Sequence, residues 1–203
     1  MMDIAQVSYY ANAVSFGAVM LMWFVFAWNF LLRKRPASTP DTKRAPRSWA
    51  GLALQGVAFG IVWTVRRSPF ASPLIDGQFA VNIVLQISAI ILAAASVWLA
   101  VSALKELGRQ WSLTARLTED HNLIKTGVYG IVRHPIYTAM LGLMVATGLI
   151  VSNWIGLAAA IVVFFVGTKI RTNLEESLLR NAFGEEFTAW EAKVPGLIPF
   201  VKI

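Results

Sequence analysis

The chain has 203 residues, of which 57% are hydrophobic and only 14% are charged, and its net charge is +7. A soluble domain carries about a quarter charged residues, so the composition excludes an ordinary soluble domain and predicts an integral membrane protein. The length accommodates one domain of a few helices. The chain has no cysteine, which excludes disulfides, thiolate metal sites and a cysteine nucleophile, and we predict no metal site.

Three apolar runs occupy the N-terminal half. The first, residues 4–32, exceeds the ~20 residues that one crossing needs. No basic region precedes it and no small-residue cleavage site ends it, so we expect it to be retained as a span. The polar stretch at 33–47 opens with three basic residues that stop this run. A second span is predicted over 48–65, a proline-containing loop with an Asp-Gly turn over 68–77, and a third span over 79–104.

Two shorter apolar runs follow a polar stretch that ends at residue 133. They cover 136–151 and 154–166 and are separated only by Ser152 and Asn153. So short a connection predicts an antiparallel helical hairpin. Because the two helices have similar lengths, their distal ends should return to the same depth in the membrane.

The tail, residues 169–203, contains both apolar and acidic residues. Its apolar residues recur at three- to four-residue spacing, which is typical of an amphipathic helix: Leu179, Phe183, Phe187 and Trp190. We expect Gly184 to kink or break this helix. The sequence therefore predicts an all-α, polytopic membrane bundle of about five transmembrane helices with a cytoplasmic C-terminal amphipathic helix.

The distribution of positive charge predicts the orientation. In this topology Arg66 and Arg67 are the only basic residues among 18 Lys and Arg that lie on the side of the N-terminus. This positive-inside bias places the N-terminus outside and the tail in the cytoplasm, at the inner membrane of a bacterium or the endoplasmic reticulum of a eukaryote. It does not resemble a nucleic-acid footprint, so we predict no nucleic-acid partner.

The stretch at 127–137 combines Gly, Tyr, Arg, His and Pro at the entry to the fourth apolar run. Arg and His at membrane depth are expensive and indicate a functional site. The alternative is a basic interfacial anchor in front of a helix that begins with Pro135. The hairpin brings this stretch close to Glu175 and Glu176, which follow the fifth run. We therefore expect a polar site at the membrane boundary, suited to a substrate that is half lipid and half polar.

The order Arg133-His134-Pro135-x-Tyr137, followed about forty residues later by Glu175-Glu176, resembles the isoprenylcysteine carboxyl methyltransferase family. The similarity extends through the stretches at 121–129, 171–176, 183–187 and 194–200, and covers roughly residues 107–202. Each motif is weak alone, but together they are specific because they occur in the right order and within the expected hydropathy frame. The first three spans carry no motif that can be aligned.

The resemblance implies a membrane enzyme that uses S-adenosylmethionine to methylate the carboxylate of a prenylcysteine-like amphiphile. Residues 1–104 would then form three N-terminal transmembrane helices and residues 105–203 the catalytic half of one domain. Lipid-like or prenylated substrates and membrane lipids are the implied partners. The implied cofactor-binding residues are His121, Leu123, Gly127, Tyr129, His134, Pro135, Tyr137 and Glu175. The implied catalytic residues are Arg133, Arg171 and Glu176.

Within this assignment, Arg171 or Arg133 would hold the substrate carboxylate, and Glu175 and Glu176 would bind ribose hydroxyls or the amino group of the cofactor. A carboxylate is already deprotonated at neutral pH, so its methylation requires no general base. His121 could instead be a solvated loop residue.

Other functions remain open at this stage. A lipid amine methyltransferase of the same superfamily would need an acceptor for the proton of its substrate. A membrane reductase of related fold and a non-catalytic membrane protein are further alternatives.

Overall fold

The computed structural model describes residues 3–32, 41–44, 47–67, 78–118 and 121–201. Its described part is dominated by six α-helices: α1 Ile4–Ala27, α2 Ser48–Thr64, α3 Phe79–Leu107, α4 Pro135–Val151, α5 Trp154–Phe183 and α6 Glu185–Glu191. A π-helical turn, Trp28–Leu32, extends α1, and short 3₁₀ turns lie at Gly108–Gln110 and Gly127–Gly130.

Three stretches are long and apolar enough to cross a membrane: Gln6–Phe30, Phe79–Gln110 and Trp154–Phe183. The helices α2 and α4 are shorter but also apolar. These five helices, with α6 after them, confirm the predicted class of polytopic helical membrane protein. The basic stop at 33–35 and the loop at 68–77 were also predicted, but both lie outside the described residues.

Helix α2 packs against α5 at very short range, because glycines face each other. A Cβ atom added to Gly51 would lie 2.5 Å from the carbonyl oxygen of Gly167, and one added to Gly167 would lie 2.7 Å from that of Gly51. Small residues permit this approach in membrane proteins. One turn further along α5, the side chain of Arg171 lies against Gly51. The α2–α5 contact therefore fixes the stem of a buried arginine.

The predicted hairpin of α4 and α5 is confirmed. Asn153 caps α5 by accepting a hydrogen bond from the backbone N–H of Gly156 at 2.7 Å. On the same side, the guanidinium of Arg67 donates to the carbonyl oxygens of Leu149, Ile150 and Ser152 at the end of α4. These bonds satisfy carbonyl groups that a helix end leaves free, and they hold the hairpin turn in place.

Two features differ from the sequence prediction. Helix α5 runs without interruption to Phe183, so it extends well beyond the predicted apolar run at 154–166 and includes the first part of the predicted tail helix. No proline or glycine lies between Gly167 and Gly184, and the helix ends only where Gly184 adopts a φ of +52°, a conformation that glycine tolerates. In addition, strands β1 Asp41–Arg44 and β2 Arg116–Thr118 form a short antiparallel ladder, which the helical periodicity did not indicate.

Candidate active site

The loop before α4 is held by the C-terminal segment. The backbone N–H groups of Arg133 and His134 donate to the carbonyl oxygens of Pro195 and Gly196 at 2.9 and 3.0 Å. Pro135 then begins α4 at its first position, where a missing N–H has no cost. The C-terminal segment therefore anchors the loop that carries Arg133 and His134.

The side chain of Arg133 is fully engaged with protein groups. Its Nε and Nη2 atoms donate to Glu176 Oε1 at 3.1 and 2.9 Å. Its Nη1 atom donates to the carbonyl oxygens of Val194 and Glu191 at 2.6 and 3.1 Å. Because the side chain is only 10% exposed, this guanidinium has little capacity left for a substrate. It ties α5 to the C-terminal segment.

His134 lies between two carboxylates. Its Nε2 atom is 2.9 Å from Glu176 Oε1, and its Nδ1 atom is 3.6 Å from Glu175 Oε2. Burial alone would lower the pKa of His134, but hydrogen bonds and charge attraction from Glu175 and Glu176 outweigh it and raise that pKa. Protonation lets both ring nitrogens carry a hydrogen toward a carboxylate. The arrangement therefore favours an imidazolium that fixes the orientation of both acids.

A second chain of hydrogen bonds begins at Glu175. The hydroxyl of Tyr137 donates to Glu175 Oε1 and accepts from Arg171 Nε at 2.8 Å. Arg171 Nη2 donates to the carbonyl oxygen of Leu113 at 2.6 Å. The Nη1 atom of Arg171 has no hydrogen-bond partner among the described residues, although the residue is only 4% exposed. The guanidinium is thus rigidly placed with one donor group still available.

Tyr129 closes the site from the 3₁₀ turn Gly127–Gly130. Burial, followed by the negative charges of Glu175 and Glu106, raises the pKa of the Tyr129 phenol. It therefore remains a neutral hydroxyl and an aromatic face at physiological pH. The side chain is 7% exposed, and its carbonyl oxygen accepts a bond from the Trp190 indole at 3.3 Å.

His121 is a half-buried residue on the loop that follows β2. Burial, together with the positive charge of Arg116, lowers the pKa of its imidazole. The ring centroid lies 6.2 Å from that of Phe183. His121 therefore presents a neutral aromatic ring to the site.

Gly127 has a structural reason to be glycine. Its φ is +54°, and an added Cβ atom would lie 1.9 Å from Glu106 Oε1. The same carboxylate oxygen accepts the backbone N–H of Val128 at 3.1 Å. Gly127 does not line the cavity described next, and its predicted contact with a cofactor stays a prediction.

These side chains surround a cavity of about 350 Å³. Apart from Gly127, all the site residues predicted from the sequence line it. Its polar wall is formed by Arg133, His134, Tyr137, Arg171, Glu175 and Glu176. Its apolar wall includes Trp23, Phe26, Phe30, Leu52, Trp111 and Met140. A cavity with one polar and one apolar wall matches an amphiphilic ligand.

The sequence prediction missed the contribution of the N-terminal helices. Gln55, on α2, lines the cavity and is 1% exposed. No motif marks it, but a polar side chain in the middle of an apolar span is itself a signal. The carbonyl oxygen of Leu113, which accepts from Arg171, could not be identified from residue type because every residue carries such a group.

Comparisons with known proteins agree with this description. The family model described as phospholipid methyltransferase matches residues 84–186. The chain therefore belongs to the phospholipid methyltransferase family. Curated proteins that are similar to it include protein-S-isoprenylcysteine O-methyltransferases, as the motifs indicated.

Three curated relatives illustrate the similarity. The protein-S-isoprenylcysteine O-methyltransferase B of Arabidopsis thaliana is 33% identical over 49% of this chain and 52% of its own length. The enzyme of that name from Schizosaccharomyces pombe is 28% identical over 65% of this chain and 56% of its own. The human one is 35% identical over 42% and 30%. The chain thus spans about half the length of the first two.

The fold also has a counterpart among solved structures. The eukaryotic intramembrane Ras methyltransferase ICMT, an isoprenylcysteine carboxyl methyltransferase, superimposes with a TM-score of 0.59 at 19% identity. The match covers 95% of this chain and 68% of that chain. It establishes the fold of almost the whole chain, including the N-terminal helices that the sequence motifs do not reach.

Proposed function

We propose that this protein is a membrane-embedded methyltransferase that uses S-adenosylmethionine to methylate the carboxylate of a prenylcysteine-like amphiphile. The observation that carries the proposal is a cavity that combines an apolar wall with the buried cation of Arg171, whose Nη1 atom has no hydrogen-bond partner among the described residues. A guanidinium is well suited to bind a carboxylate, and the apolar wall suits a lipid chain.

The residues of the cavity fit the cofactor by their chemistry. S-adenosylmethionine carries cationic groups, and Glu175 and Glu176 bring two carboxylates to the polar wall. Glu176 Oε1 already accepts three hydrogen bonds, whereas the side chain of Glu175 remains 25% exposed. We therefore assign cofactor recognition chiefly to Glu175. Tyr129 and His121 offer aromatic faces, which attract a cation by about 0.5–2 kcal/mol.

When bound, S-adenosylmethionine supplies an electrophilic methyl group on a sulfonium centre. The protein's own residues orient the acceptor and exclude water. Arg171 Nη1 is placed to bind one carboxylate oxygen, which leaves the other available as the nucleophile. Tyr137 and Leu113 fix the guanidinium through its Nε and Nη2 atoms, so it loses little freedom when the acceptor binds. Such positioning can contribute up to about 7–11 kcal/mol to a two-substrate reaction.

Arg133, His134 and Glu176 have a different role in this proposal. Their contacts are with one another and with the backbone of the C-terminal segment. We assign them to positioning: they hold Glu175 and the loop before α4 in place. The sequence allowed either Arg133 or Arg171 to bind the substrate carboxylate. Because Arg133 is engaged with protein groups, we assign the carboxylate to Arg171.

Methylation of a lipid amine is the second candidate, and the name of the family model favours it. An amine reaches the enzyme protonated, so its methylation needs a proton acceptor near the nucleophile. Glu175, the more exposed carboxylate of this wall, is assigned to the cofactor, and the buried cation of Arg171 would repel an ammonium. We therefore place the amine second.

We further propose that the N-terminus lies outside and that the site and the C-terminus face the cytoplasm, as the charge distribution indicates. Membrane lipids would surround α1 and α3, both of which expose large apolar side chains. The acceptor would then approach from the lipid phase.

The decisive experiment supplies purified protein with methyl-tritiated S-adenosylmethionine and either N-acetyl-S-farnesylcysteine or an aminophospholipid. Treatment of the extracted product with mild base separates the outcomes. Volatile tritiated methanol indicates a methyl ester and supports the carboxyl methyltransferase. Base-stable label in lipid would indicate an amine acceptor. Absence of both transfer and cofactor binding would refute an enzymatic role.

A further inference from the structure

Gln55 is a buried polar side chain in the middle of the apolar helix α2. It is 1% exposed, and its Nε2 group donates to Thr168 Oγ1 on α5 at 2.9 Å. Its Oε1 atom has no hydrogen-bond partner among the described residues. An unpaired buried acceptor is costly, and Gln55 lines the cavity of the proposed active site. The amide oxygen is thus an unpaired acceptor of a residue that lines the cavity.

The position of Gln55 relates this oxygen to Arg171. Gly51 and Gln55 are one turn apart on the same face of α2, where neighbouring Cβ atoms lie about 5–6 Å apart. A Cβ atom on Gly51 would lie 2.5 Å from Cγ of Arg171, so the arginine stem lies one turn from the glutamine. Both Gln55 Oε1 and Arg171 Nη1 lack protein partners. The cavity is therefore lined by a residue of α2 with an unpaired acceptor and by a residue of α5 with an unpaired cationic donor, whose stem packs one turn away on α2.

This pair specifies more than a carboxylate with a lipid chain. A carboxylate satisfies Arg171, but it has no hydrogen to donate to Gln55. A thioether sulfur and a hydrocarbon chain also have none. An α-amino-acid carboxylate has such a hydrogen, because its nitrogen is bonded to the α-carbon, which also carries the carboxyl group. One molecule of this kind satisfies both groups.

We propose that Gln55 is a specificity-determining residue that accepts a hydrogen bond from the N–H on the α-carbon of the methyl acceptor. The inference rests on the proposed carboxyl methyltransferase function. It predicts that an N-acylated amino-acid acceptor is selected over a carboxylate of equal length and hydrophobicity that lacks the N–H. The selection arises because the second molecule leaves the amide oxygen of Gln55 buried and unpaired.

A purely structural role does not explain the whole side chain. The bond to Thr168 uses the amide N–H group alone. The close contact of α2 with α5 is made by Gly51 and Gly167. Neither contact uses the amide oxygen of Gln55.

The test compares three acceptors with the full-length protein and methyl-tritiated S-adenosylmethionine. These are N-acetyl-S-farnesylcysteine, N-acetyl-N-methyl-S-farnesylcysteine, in which a methyl group replaces the hydrogen on the α-nitrogen, and S-farnesyl-3-mercaptopropionate, which has no nitrogen. We expect wild-type kcat/KM to be at least about tenfold higher for the first than for the others, as one unmade buried hydrogen bond implies. The third acceptor adds no methyl group, so a low kcat/KM for it cannot result from added bulk. Equal values for all three would overturn the proposal, whether or not any variant folds.

The substitution Gln55→Met removes the amide and preserves the length of the side chain. In this variant the kcat/KM ratio between the acceptors should fall toward one. Gln86→Met is the matched control, because Gln86 is a part-buried glutamine of α3 that bonds Asn12 outside this cavity, and this variant should keep the wild-type ratio. An unchanged ratio in Gln55→Met would overturn the assignment and leave the methyltransferase proposal standing. Failure of the wild type to methylate any acceptor would instead refute the proposed function on which the assignment rests.

Discussion

Replacing Glu176 by Gln should destabilise the protein, whereas the same substitution at the neighbouring Glu175 should weaken cofactor binding. The two acids are adjacent on α5 but have different surroundings. Glu176 Oε1 accepts hydrogen bonds from Arg133 Nε, Arg133 Nη2 and His134 Nε2. Glu175 contacts Tyr137 and is the more exposed of the two, at 25% against 14%. The pair therefore tests whether position or residue type decides the role.

The expected loss follows from the three bonds to Glu176. A hydrogen bond to a charged group contributes about 1.5–3 kcal/mol, and a neutral one about 0.5–1.5. Because glutamine keeps a neutral acceptor, each bond weakens by roughly 1 kcal/mol, or about 3 kcal/mol for the three bonds. This agrees with the roughly 3–5 kcal/mol that breaking a buried pair costs. For a protein of this size, such a loss lowers the Tm by about 6–12 °C.

Thermal unfolding in detergent can be followed through the eight tryptophans, and cofactor affinity by calorimetry on the same samples. Glu176→Gln should lower the Tm and bind cofactor nearly normally at low temperature. Glu175→Gln should unfold close to the wild-type temperature and bind cofactor more weakly. The reverse pattern would refute the separation of roles, as would equal effects of both variants on affinity.

Three further predictions concern neighbouring groups. Arg171→Lys should reduce kcat/KM for a carboxylate acceptor by about 100-fold or more, with cofactor affinity retained; near-normal turnover would contradict the carboxylate role. Because the pKa of His134 is raised on folding, its stabilisation should be complete below its unfolded pKa of about 6.5 and lost as the pH rises through the higher folded value. The Tm difference between wild type and His134→Gln should therefore be larger at pH 6 than at pH 9, and a constant difference would argue against the ion pairs. Gly127→Ala places a Cβ atom against Glu106 and should lower the Tm more than Gly184→Ala, which has a similar φ and no atom within 4 Å of the new Cβ; equal losses would mean that Glu106 moves freely.

Much of the site was predictable because a two-residue connection determines where a hairpin returns. Ser152 and Asn153 join two helices, so the residues before α4 and those late in α5 had to meet. In the structure Arg133 and His134 pair with Glu176, whereas the resemblance implied contacts of these residues with the substrate and the cofactor. The spacing therefore predicts that these groups meet, and their opposite charges explain why they pair.

The different roles that we propose for Arg133 and Arg171 were not predictable in the same way. Sequence reasoning allowed Arg133 or Arg171 to bind a carboxylate. The difference depends on carbonyl oxygens of Glu191 and Val194, and these atoms become close to Arg133 only when the C-terminal segment folds back. The β1–β2 ladder was missed for a related reason, since its short strands pair across a long sequence separation and leave no periodic pattern.

The polar side chains of the site form one connected network with alternating charge. From Arg180 through Glu191, Arg133 and Glu176 to His134, each charged group contacts an opposite one. The Arg180–Glu191 end of this network is exposed, whereas its members at Arg133, His134 and Glu176 are largely buried, and buried polar groups need hydrogen-bond partners. Arg171 Nη1 and Gln55 Oε1 belong to cavity-lining residues and have no hydrogen-bond partner in the described part of the chain. Unmet hydrogen bonds of buried groups cost stability. If the proposed roles are right, the same two atoms would bind the acceptor and determine which molecule the cavity selects.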